Sequence, residues 1–224
     1  MIPLRSTERV RSKSVVVAIL IAINVVIFFY QVSLSGYGLA LLVETFGIIP
    51  DEISGRLYTL LTSMFLHGGW MHLIGNMLFL WVFGRNVEDL IGSGRFIGFY
   101  IACGLAAGAV QVITGPYSRV PTIGASGAIA GVMGAYLIKF PRARIVTLVP
   151  IFVFITTMEI PAALMLIWWF IIQFASGLGS LAETSYTGGG VAWFAHAGGF
   201  LAGMLLIRAF PARRTRWRAW YEEE

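Results

Sequence analysis

Long apolar runs separated by short polar segments dominate the chain. A helix needs about 20 mainly apolar residues to cross a bilayer, and six segments meet or approach that length. The pattern predicts six membrane-spanning helices, at Ser14–Leu34, Trp70–Leu90, Phe96–Thr114, Gly124–Phe140, Thr157–Gly177 and Val191–Phe210. A further apolar run, Ile145–Ile155, is interrupted by Pro150. It is predicted to be a re-entrant or interfacial segment that leads into the fifth helix.

The composition supports an all-α, polytopic membrane protein. Hydrophobic residues make up 58% of the chain and charged residues 12%, with a mean hydropathy of +0.80, whereas soluble domains contain about 25% charged residues. The net charge of +5 does not indicate nucleic-acid binding, because the basic residues flank the apolar runs. Cys103 is the single cysteine, so no internal disulfide or cysteine metal cluster is expected. No cofactor or metal ion is expected.

The distribution of Lys and Arg predicts the orientation of the helices. Fourteen of these residues lie in the N-terminal segment, the second and fourth connections and the C-terminal end, whereas only Arg56 and Arg119 lie in the other connections. The positive-inside rule therefore places both termini in the cytoplasm. The predicted organisation is a basic N-terminal tail (1–13), a six-span domain (14–210) and a basic and acidic C-terminal tail (211–224). Residues 35–69 are predicted to form a partly helical outer loop in the membrane interface.

Four polar residues are predicted at one depth of the membrane. His72 and Asn76 share a face near the outer end of the second helix, Ser126 lies in the first turn of the fourth, and His196 lies about five residues into the sixth. Three have a simple structural alternative: a headgroup contact for His72, an interhelical hydrogen bond for Asn76 and plain helix packing for Ser126. His196 lies deeper among small residues, which argues against an idle role. Because polar groups in a membrane are costly, their coincidence at one level favours a functional site.

Glycine pairs accompany Ser126 and His196. Gly127 and Gly131 follow the serine at helical spacing, and Gly199 and Gly203 follow the histidine. Two such faces allow helices four and six to touch closely. That contact would bring Ser126 Oγ within about 2.6–3.2 Å of His196, as a nucleophile and its base require.

These residues closely resemble the rhomboid family of intramembrane serine proteases. The resemblance runs from about Tyr58 to Gly203. It is carried by His67-Gly-Gly-Trp-Met-His72-Leu-Ile-Gly-Asn76, by Gly84-Arg-Asn-Val-Glu88, by Gly124-Ala-Ser126-Gly127 and by Ala195-His196-Ala-Gly-Gly199-Phe-Leu-Ala-Gly203. The chain resembles the prokaryotic six-span type of this family, so the resemblance implies a hydrolase of the inner membrane of a prokaryotic cell.

The resemblance also implies the roles of the site residues. Ser126 would be the nucleophile and His196 the general base of a Ser–His dyad. His72, Asn76 and the Ser126 backbone N–H would form the oxyanion hole. The implied partners are the lipid bilayer and the transmembrane segments of protein substrates, and nucleic acid is not one of them. Arg85 and Glu88 are interpreted as a structural ion pair at the cytoplasmic end of the second helix.

The sequence departs from the family pattern at two places. A Trp-Arg pair of the first outer loop is replaced by Tyr58-Thr59, with Arg56 displaced, and Ala130 stands where an aromatic sometimes stacks on the base. No acidic partner for His196 is evident. Lateral access for a substrate is predicted near helices two and five, where Trp168-Trp169-Phe170 either lines the route or faces lipid.

Two other functions compete with proteolysis. Rhomboid-like membrane chaperones without enzymatic activity lack the serine or the histidine, and this chain has both. A small transporter would need polar residues along the whole path through the membrane. Val132–Ile138 and Leu201–Ile207 are almost wholly apolar, so no such path is predicted.

Overall fold

A computed structural model describes residues 2–151, 154–182 and 192–213, and most of this backbone is helical. The helices are α1 (Val15–Ser33), α2 (Gly36–Phe46), α3 (Thr59–Thr62), α4 (Trp70–Phe79), α5 (Arg85–Ile91), α6 (Ser93–Thr114), α7 (Ser126–Lys139), α8 (Ala162–Ala182) and α9 (Trp193–Leu206). The strands are β1 (Ile2–Ser6), β2 (Arg144–Ile151) and β3 (Phe154–Pro161). Short 3-10 turns occupy Pro50–Gly55, Ser63–Phe65 and Ile207–Ala209.

The predicted spans correspond to these helices. Within the described residues, Val15–Ser33, Ser93–Thr114 and Ala162–Gly179 are long and apolar enough to cross a membrane, and Ser126–Lys139 and Trp193–Ala209 are shorter apolar helices. The second span is α4 and α5, joined without a break by a π-helical turn at Leu80–Gly84. Val191, the predicted first residue of the sixth span, lies outside the described residues.

Helix α7 lies at the centre of the bundle. Every residue from Gly127 to Tyr136 is buried, because α6 and α9 pack closely on it and α4, α5 and α8 complete the surround. The helix begins after a turn at Gly124 and ends just before Pro141, which has no N–H to continue it. A helix buried on all sides holds its first residue in a fixed position relative to α6 and α9.

One end of the bundle gathers most of the basic residues, and we call it the basic end. The start of α1, the end of α5 and the end of α9 meet there, where the Arg213 N–H donates to the Leu90 carbonyl at 3.0 Å. The opposite end, where α4, α7 and α9 begin, carries the predicted site and is called the site end. Successive spans thus run in alternating directions between the two ends, as the distribution of Lys and Arg predicts.

The structure corrects the prediction for the segment before the fifth span. Residues of the run Ile145–Ile155 belong to β2 and β3, which form an antiparallel hairpin instead of a re-entrant lead-in. Thr157 lies in β3, opposite Leu148, so the fifth helix begins at Ala162, after Pro161. Both strands are rich in Val, Ile and Thr, which favour the extended backbone.

The basic N-terminal segment also contributes a strand. β1 pairs with β2 in an antiparallel manner, with Ile2 opposite Leu148, so the three-stranded sheet has the order β1-β2-β3. Ser6 Oγ lies 2.6 Å from the Tyr136 hydroxyl at the end of α7. The sheet therefore packs against the basic end of the bundle.

Residues 35–69 are partly helical, as predicted. They contain α2, two 3-10 turns and the short α3. This segment covers the site end through contacts with α6, where a Cβ on Gly104 would overlap Met64 and a Cβ on Gly108 would lie 2.9 Å from Leu60. Gly104 and Gly108 therefore allow this segment to pack closely on α6.

Candidate active site

Ser126 is the first residue of α7 and follows a sharp turn at Gly124. The φ angle of Gly124 is +128°, a conformation that residues other than glycine rarely adopt. A Cβ at Gly124 would lie 2.7 Å from His72 Nε2 and 3.5 Å from Ser126 Oγ. The turn therefore leaves a space between these two side chains, beside helix N–H groups that have no carbonyl partner within α7.

The outer loop holds the segment that leads into Ser126. Ile48 and Thr122 exchange two backbone hydrogen bonds of 3.0 and 2.8 Å, and the Gly124 N–H donates to the Ser63 carbonyl at 2.9 Å. The Arg119 guanidinium donates to the Asp51 carboxylate at 2.9 Å. These contacts fix the turn at Gly124 from outside the helical bundle.

Ser126 and His196 are in hydrogen-bonding contact. The distance between Ser126 Oγ and His196 Nε2 is 2.7 Å, which lies within the range that a nucleophile and a general base require. Glycine allows this approach, since a Cβ on Gly199 would overlap the carbonyl group of Gly127 and a Cβ on Gly203 would overlap that of Gly131. The predicted close contact of helices four and six is therefore present.

Two residues of α8 contact the other side of His196. Gln173 Oε1 lies 2.6 Å from His196 Nδ1, and the Trp169 ring lies 5.9 Å from the imidazole, with 34° between their planes. Trp169 and Gln173 are four residues apart and share one face of α8. The imidazole is thus held at both nitrogens and along one ring face.

His72 lies on α4 with its Nε2 directed at the space beside Gly124. Its Nδ1 accepts a hydrogen bond of 3.3 Å from the Gly68 N–H, which leaves the proton of a neutral imidazole on Nε2. The Nε2–H can therefore donate to an oxygen that occupies the space between His72 and Ser126.

Asn76 lies one helical turn further along α4. It is 8% exposed, and its buried Nδ2 has no hydrogen-bond partner among the described residues. Buried polar groups are nearly always paired in folded proteins. An unpaired amide donor one helical turn from His72 is therefore available to a bound acceptor.

His67 supports His72 from the loop before α4. The two rings meet edge to face at 5.1 Å, and the Gln31 side chain bonds both the N–H and the carbonyl of His67 at 3.0 Å. Burial, reinforced by the neighbouring His72, lowers the pKa of His67 to about 4. His67 is therefore a neutral packing partner for His72 at physiological pH.

A small cavity adjoins Ser126 on the side of α6 and the outer loop. Its volume is about 30 Å³, and its lining includes the polar side chains of Ser63 and Thr122. One water needs about 10–15 Å³ of such volume and a few polar partners. The cavity has room for about two water molecules next to the serine.

Sequence reasoning brought together Ser126, His196, His72 and Asn76, but it missed Gln173 and the part played by Trp169. Gln173 is a single amide within an apolar helix, and the spacing Trp169-x-x-x-Gln173 is the only signal in the sequence that marks it. Ala130 has no aromatic ring to stack on the imidazole, and Trp169 provides the aromatic contact from another helix.

The missing Trp-Arg pair of the first loop, the other departure from the family pattern, has a local replacement. The Tyr58 hydroxyl donates to the Thr45 carbonyl at 3.0 Å, and the Arg56 guanidinium donates to the carbonyls of Glu44 and Thr45. Together, the displaced Arg56 and Tyr58 tie the end of α2 to the rest of the outer loop.

The aromatic run on α8 divides between two surroundings. Trp168 is 64% exposed on the outer face of the bundle, whereas Trp169 contacts His196 and Phe200. Phe170 packs on Phe174 and Phe200. Only Trp168 therefore has the lipid-facing position of the simpler interpretation.

The fold and the composition define an integral membrane protein built as a bundle of apolar helices. Comparison with known families gives its class, because the model of the Rhomboid domain matches residues 54–213. The chain belongs to the rhomboid family.

Several curated relatives are similar to the chain. Rhomboid protease GluP of Bacillus subtilis is 37% identical over 119 residues, which are 52% of this chain and 23% of the relative. RHOMBOID-like protein 5 of Arabidopsis thaliana is 30% identical over 68% of this chain and 43% of its own length. The mitochondrial Rhomboid protein 1 of Saccharomyces cerevisiae is 28% identical over 74% of this chain and 46% of its own length. The chain thus spans less than half of each of these relatives.

Proposed function

We propose that this protein is an intramembrane serine endopeptidase that cleaves transmembrane segments of other membrane proteins. The 2.7 Å contact between Ser126 Oγ and His196 Nε2 carries the proposal. Membership of a family that includes a protease relative supports it. In this proposal Ser126 is the nucleophile and His196 is the general base.

The reaction follows from the positions of these groups. His196 Nε2 accepts the proton of Ser126 Oγ as the oxygen attacks a peptide carbonyl, and it returns that proton to the leaving amine. The carbonyl oxygen becomes an anion in the space beside Gly124. His72 Nε2–H, the unpaired Asn76 amide and the Ser126 N–H are the donors available to it, and each such donor contributes roughly 10²–10³ in rate.

The second half of the reaction needs water. The amine leaves, the acyl-enzyme remains on Ser126, and His196 then takes a proton from a water molecule that attacks the ester. The cavity beside Ser126, with the hydroxyls of Ser63 and Thr122 in its lining, is the proposed source of this water. The products are a new carboxylate and the regenerated serine.

The proposed substrate is a helix of another membrane protein. A helix hydrogen-bonds its own backbone, so it must unwind locally before Ser126 can attack. Small or helix-breaking residues near the cleaved bond favour that step. We further propose that both termini lie in the cytoplasm of a prokaryotic cell and that residues 14–210 form the protease unit between the two tails.

The test combines a covalent probe with a cleavage assay. The purified protein is treated with a fluorophosphonate, the modified residue is identified by mass spectrometry, and cleavage of a model transmembrane substrate is followed in proteoliposomes. Modification at Ser126, and its loss in Ser126→Ala and His196→Ala, is the expected result. A folded protein that is neither modified nor able to cleave a panel of such substrates would refute the proposal in favour of a non-enzymatic role.

A further inference from the structure

Gln173 is the residue on the inner face of α8 whose burial costs the most free energy. The face that packs on α9 runs through Ala162, Leu166, Trp169, Gln173 and Gly177, at helical spacing. Ala162 and Leu166 are fully buried, and a Cβ on Gly177 would lie 3.2 Å from Trp193 and Phe194. A residue on this face is surrounded by apolar side chains of the bundle.

Packing against apolar neighbours does not explain why an amide occupies this face. Its side chain is 7% exposed, and burying an amide is unfavourable unless it is hydrogen-bonded. The bond from its Oε1 to His196 Nδ1, at 2.6 Å, satisfies that requirement. A leucine would fill the same volume at lower cost if packing were the only demand.

We propose that Gln173 is a positioning residue that sets the tautomer and the orientation of His196, so that the catalytic unit is a Ser126–His196–Gln173 triad. This inference rests on the proposed function.

An amide oxygen only accepts hydrogen bonds, so Gln173 Oε1 requires the proton of a neutral imidazole on Nδ1. His196 Nε2 then presents its lone pair to the Ser126 hydroxyl at 2.7 Å. The opposite tautomer would place a proton on Nε2 and prevent it from accepting one. Gln173 thus does for His196 what a carboxylate does in soluble serine proteases.

A neutral amide suits this position in a membrane. A carboxylate in the apolar interior would carry a large desolvation cost, whereas an amide orients the ring without a charge. Trp169 restricts the remaining motion of the imidazole from one turn away, since its ring lies 5.9 Å from that of His196. Both contacts come from α8, so the base is oriented only while α8 is docked on α9.

The test compares Gln173→Leu with Gln111→Leu. Gln111 is a partly buried amide on α6, and its side-chain oxygen has no partner among the described residues. Gln173→Leu is expected to lower kcat for a transmembrane substrate and the rate of fluorophosphonate labelling at Ser126 by roughly 10- to 100-fold, because general base catalysis is impaired. KM is expected to stay within about twofold, and Gln111→Leu to match the wild type.

A second pair of variants separates positioning from packing. Gln173→Glu keeps an oxygen acceptor for Nδ1, whereas Gln173→Met has a similar length without one. The expected result is a clearly higher labelling rate in Gln173→Glu than in Gln173→Met, since the carboxylate still accepts from Nδ1 despite its desolvation cost. Equal rates in these two variants, or a wild-type rate in a folded Gln173→Leu protein, would overturn the triad and leave the dyad intact. A wild-type protein that is not labelled at Ser126 would overturn the proposed function and this inference together.

Discussion

The buried carboxylates of the basic end differ in their hydrogen bonding from the buried amide of Asn76 at the site end. At the basic end, the buried carboxylate of Glu88 accepts hydrogen bonds from the N–H groups of Val16 and Val17 and from the Ser93 hydroxyl. The predicted ion pair of Glu88 with Arg85 is wrong, because the Arg85 guanidinium lies over the Trp81 ring, 4.3 Å from its centre. The neighbouring Asp89 accepts from the N–H groups of Arg11 and Ser12 and from the Ser12 hydroxyl. These carboxylates cap the first turn of α1 and the segment before it.

At the site end, an amide of similar burial is left unpaired. Asn76 Nδ2 has no hydrogen-bond partner among the described residues. The comparison teaches that burial alone does not mark a functional residue in this protein. A saturated polar group stabilises the fold, whereas in the proposed mechanism the unpaired Asn76 amide donates to an acceptor that arrives with the substrate.

The close contact between α7 and α9 brings Ser126 and His196 together, so its loss should have the largest effect. Gly199→Leu places a side chain into the Gly127 carbonyl, so we expect no folded, monodisperse protein and no labelling of Ser126. Gly98→Leu is the matched control, because nothing lies within 4 Å of a Cβ at Gly98. Thermal unfolding and size-exclusion chromatography in detergent measure both variants. A folded Gly199→Leu protein would show that the close approach is dispensable.

At the site end, removal of an unpaired donor should impair catalysis and spare the fold. Asn76→Ala is expected to lower kcat by roughly 10²–10³ with little change in melting temperature. Asn24→Ala is the control, since Asn24 is a buried asparagine whose amide donates to the Leu20 carbonyl in α1. Steady-state cleavage assays separate kcat from KM. An effect confined to KM would make Asn76 a substrate contact.

At the basic end, removal of a hydrogen-bonded carboxylate should lower stability and spare catalysis. Glu88→Ala leaves three donors without their carboxylate, and hydrogen bonds to charged groups are each worth about 1.5–3 kcal/mol. We expect a lower melting temperature and an unchanged labelling rate of Ser126 in the folded fraction. Glu159→Ala, at an exposed carboxylate of β3, should leave both unchanged. Slower labelling in folded Glu88→Ala protein would mean that the two ends are coupled.

The smallest expected effect is the loss of folding stability at acidic pH that arises from His67. Its pKa is about 4 in the folded protein and about 6.5 in an unfolded chain. The unfolded state therefore binds the extra proton first as the pH falls below 6.5, so the contribution of His67 to stability is present above pH 6.5 and decreases towards pH 4. The expected loss is roughly 1 kcal/mol at pH 5.5.

A His67→Phe variant isolates this contribution. The phenyl ring keeps the edge contact with His72 and cannot be protonated. The difference in melting temperature between pH 7.5 and pH 5.5 should therefore be smaller for His67→Phe than for the wild type. An equal difference in the two proteins would assign the acid sensitivity to other groups.

The helical architecture was predictable because it is written in local patterns. The length of the apolar run identified Val15–Ser33 and Ser93–Thr114, and the charge distribution ordered their ends. The glycines around Ser126 and His196 predicted a contact between two helices that are distant in the sequence. The positions of Ser126, His196, His72 and Asn76 relative to the ends of their helices predicted one shared depth.

The sheet and Gln173 were not predictable in this way. The segment Arg144–Pro161 is apolar enough to suggest membrane insertion, and only its pairing with β1 and with itself makes it a sheet. The alternation of Ile2 and Leu4 in β1 is too short to stand out among basic residues. Gln173 becomes meaningful only through the 2.6 Å contact that the packing of α8 on α9 creates.

The pairing of β1 with β2 has a consequence for the order of events during synthesis. β1 precedes β2 in the chain, and its partner Leu148 lies on a strand that follows four of the predicted spans. Contacts so distant in the sequence close large loops and form slowly. β1 can therefore pair with β2 only after most of the bundle has been synthesised. Its docking on β2 is a late step of maturation that connects β1 to the hairpin preceding α8.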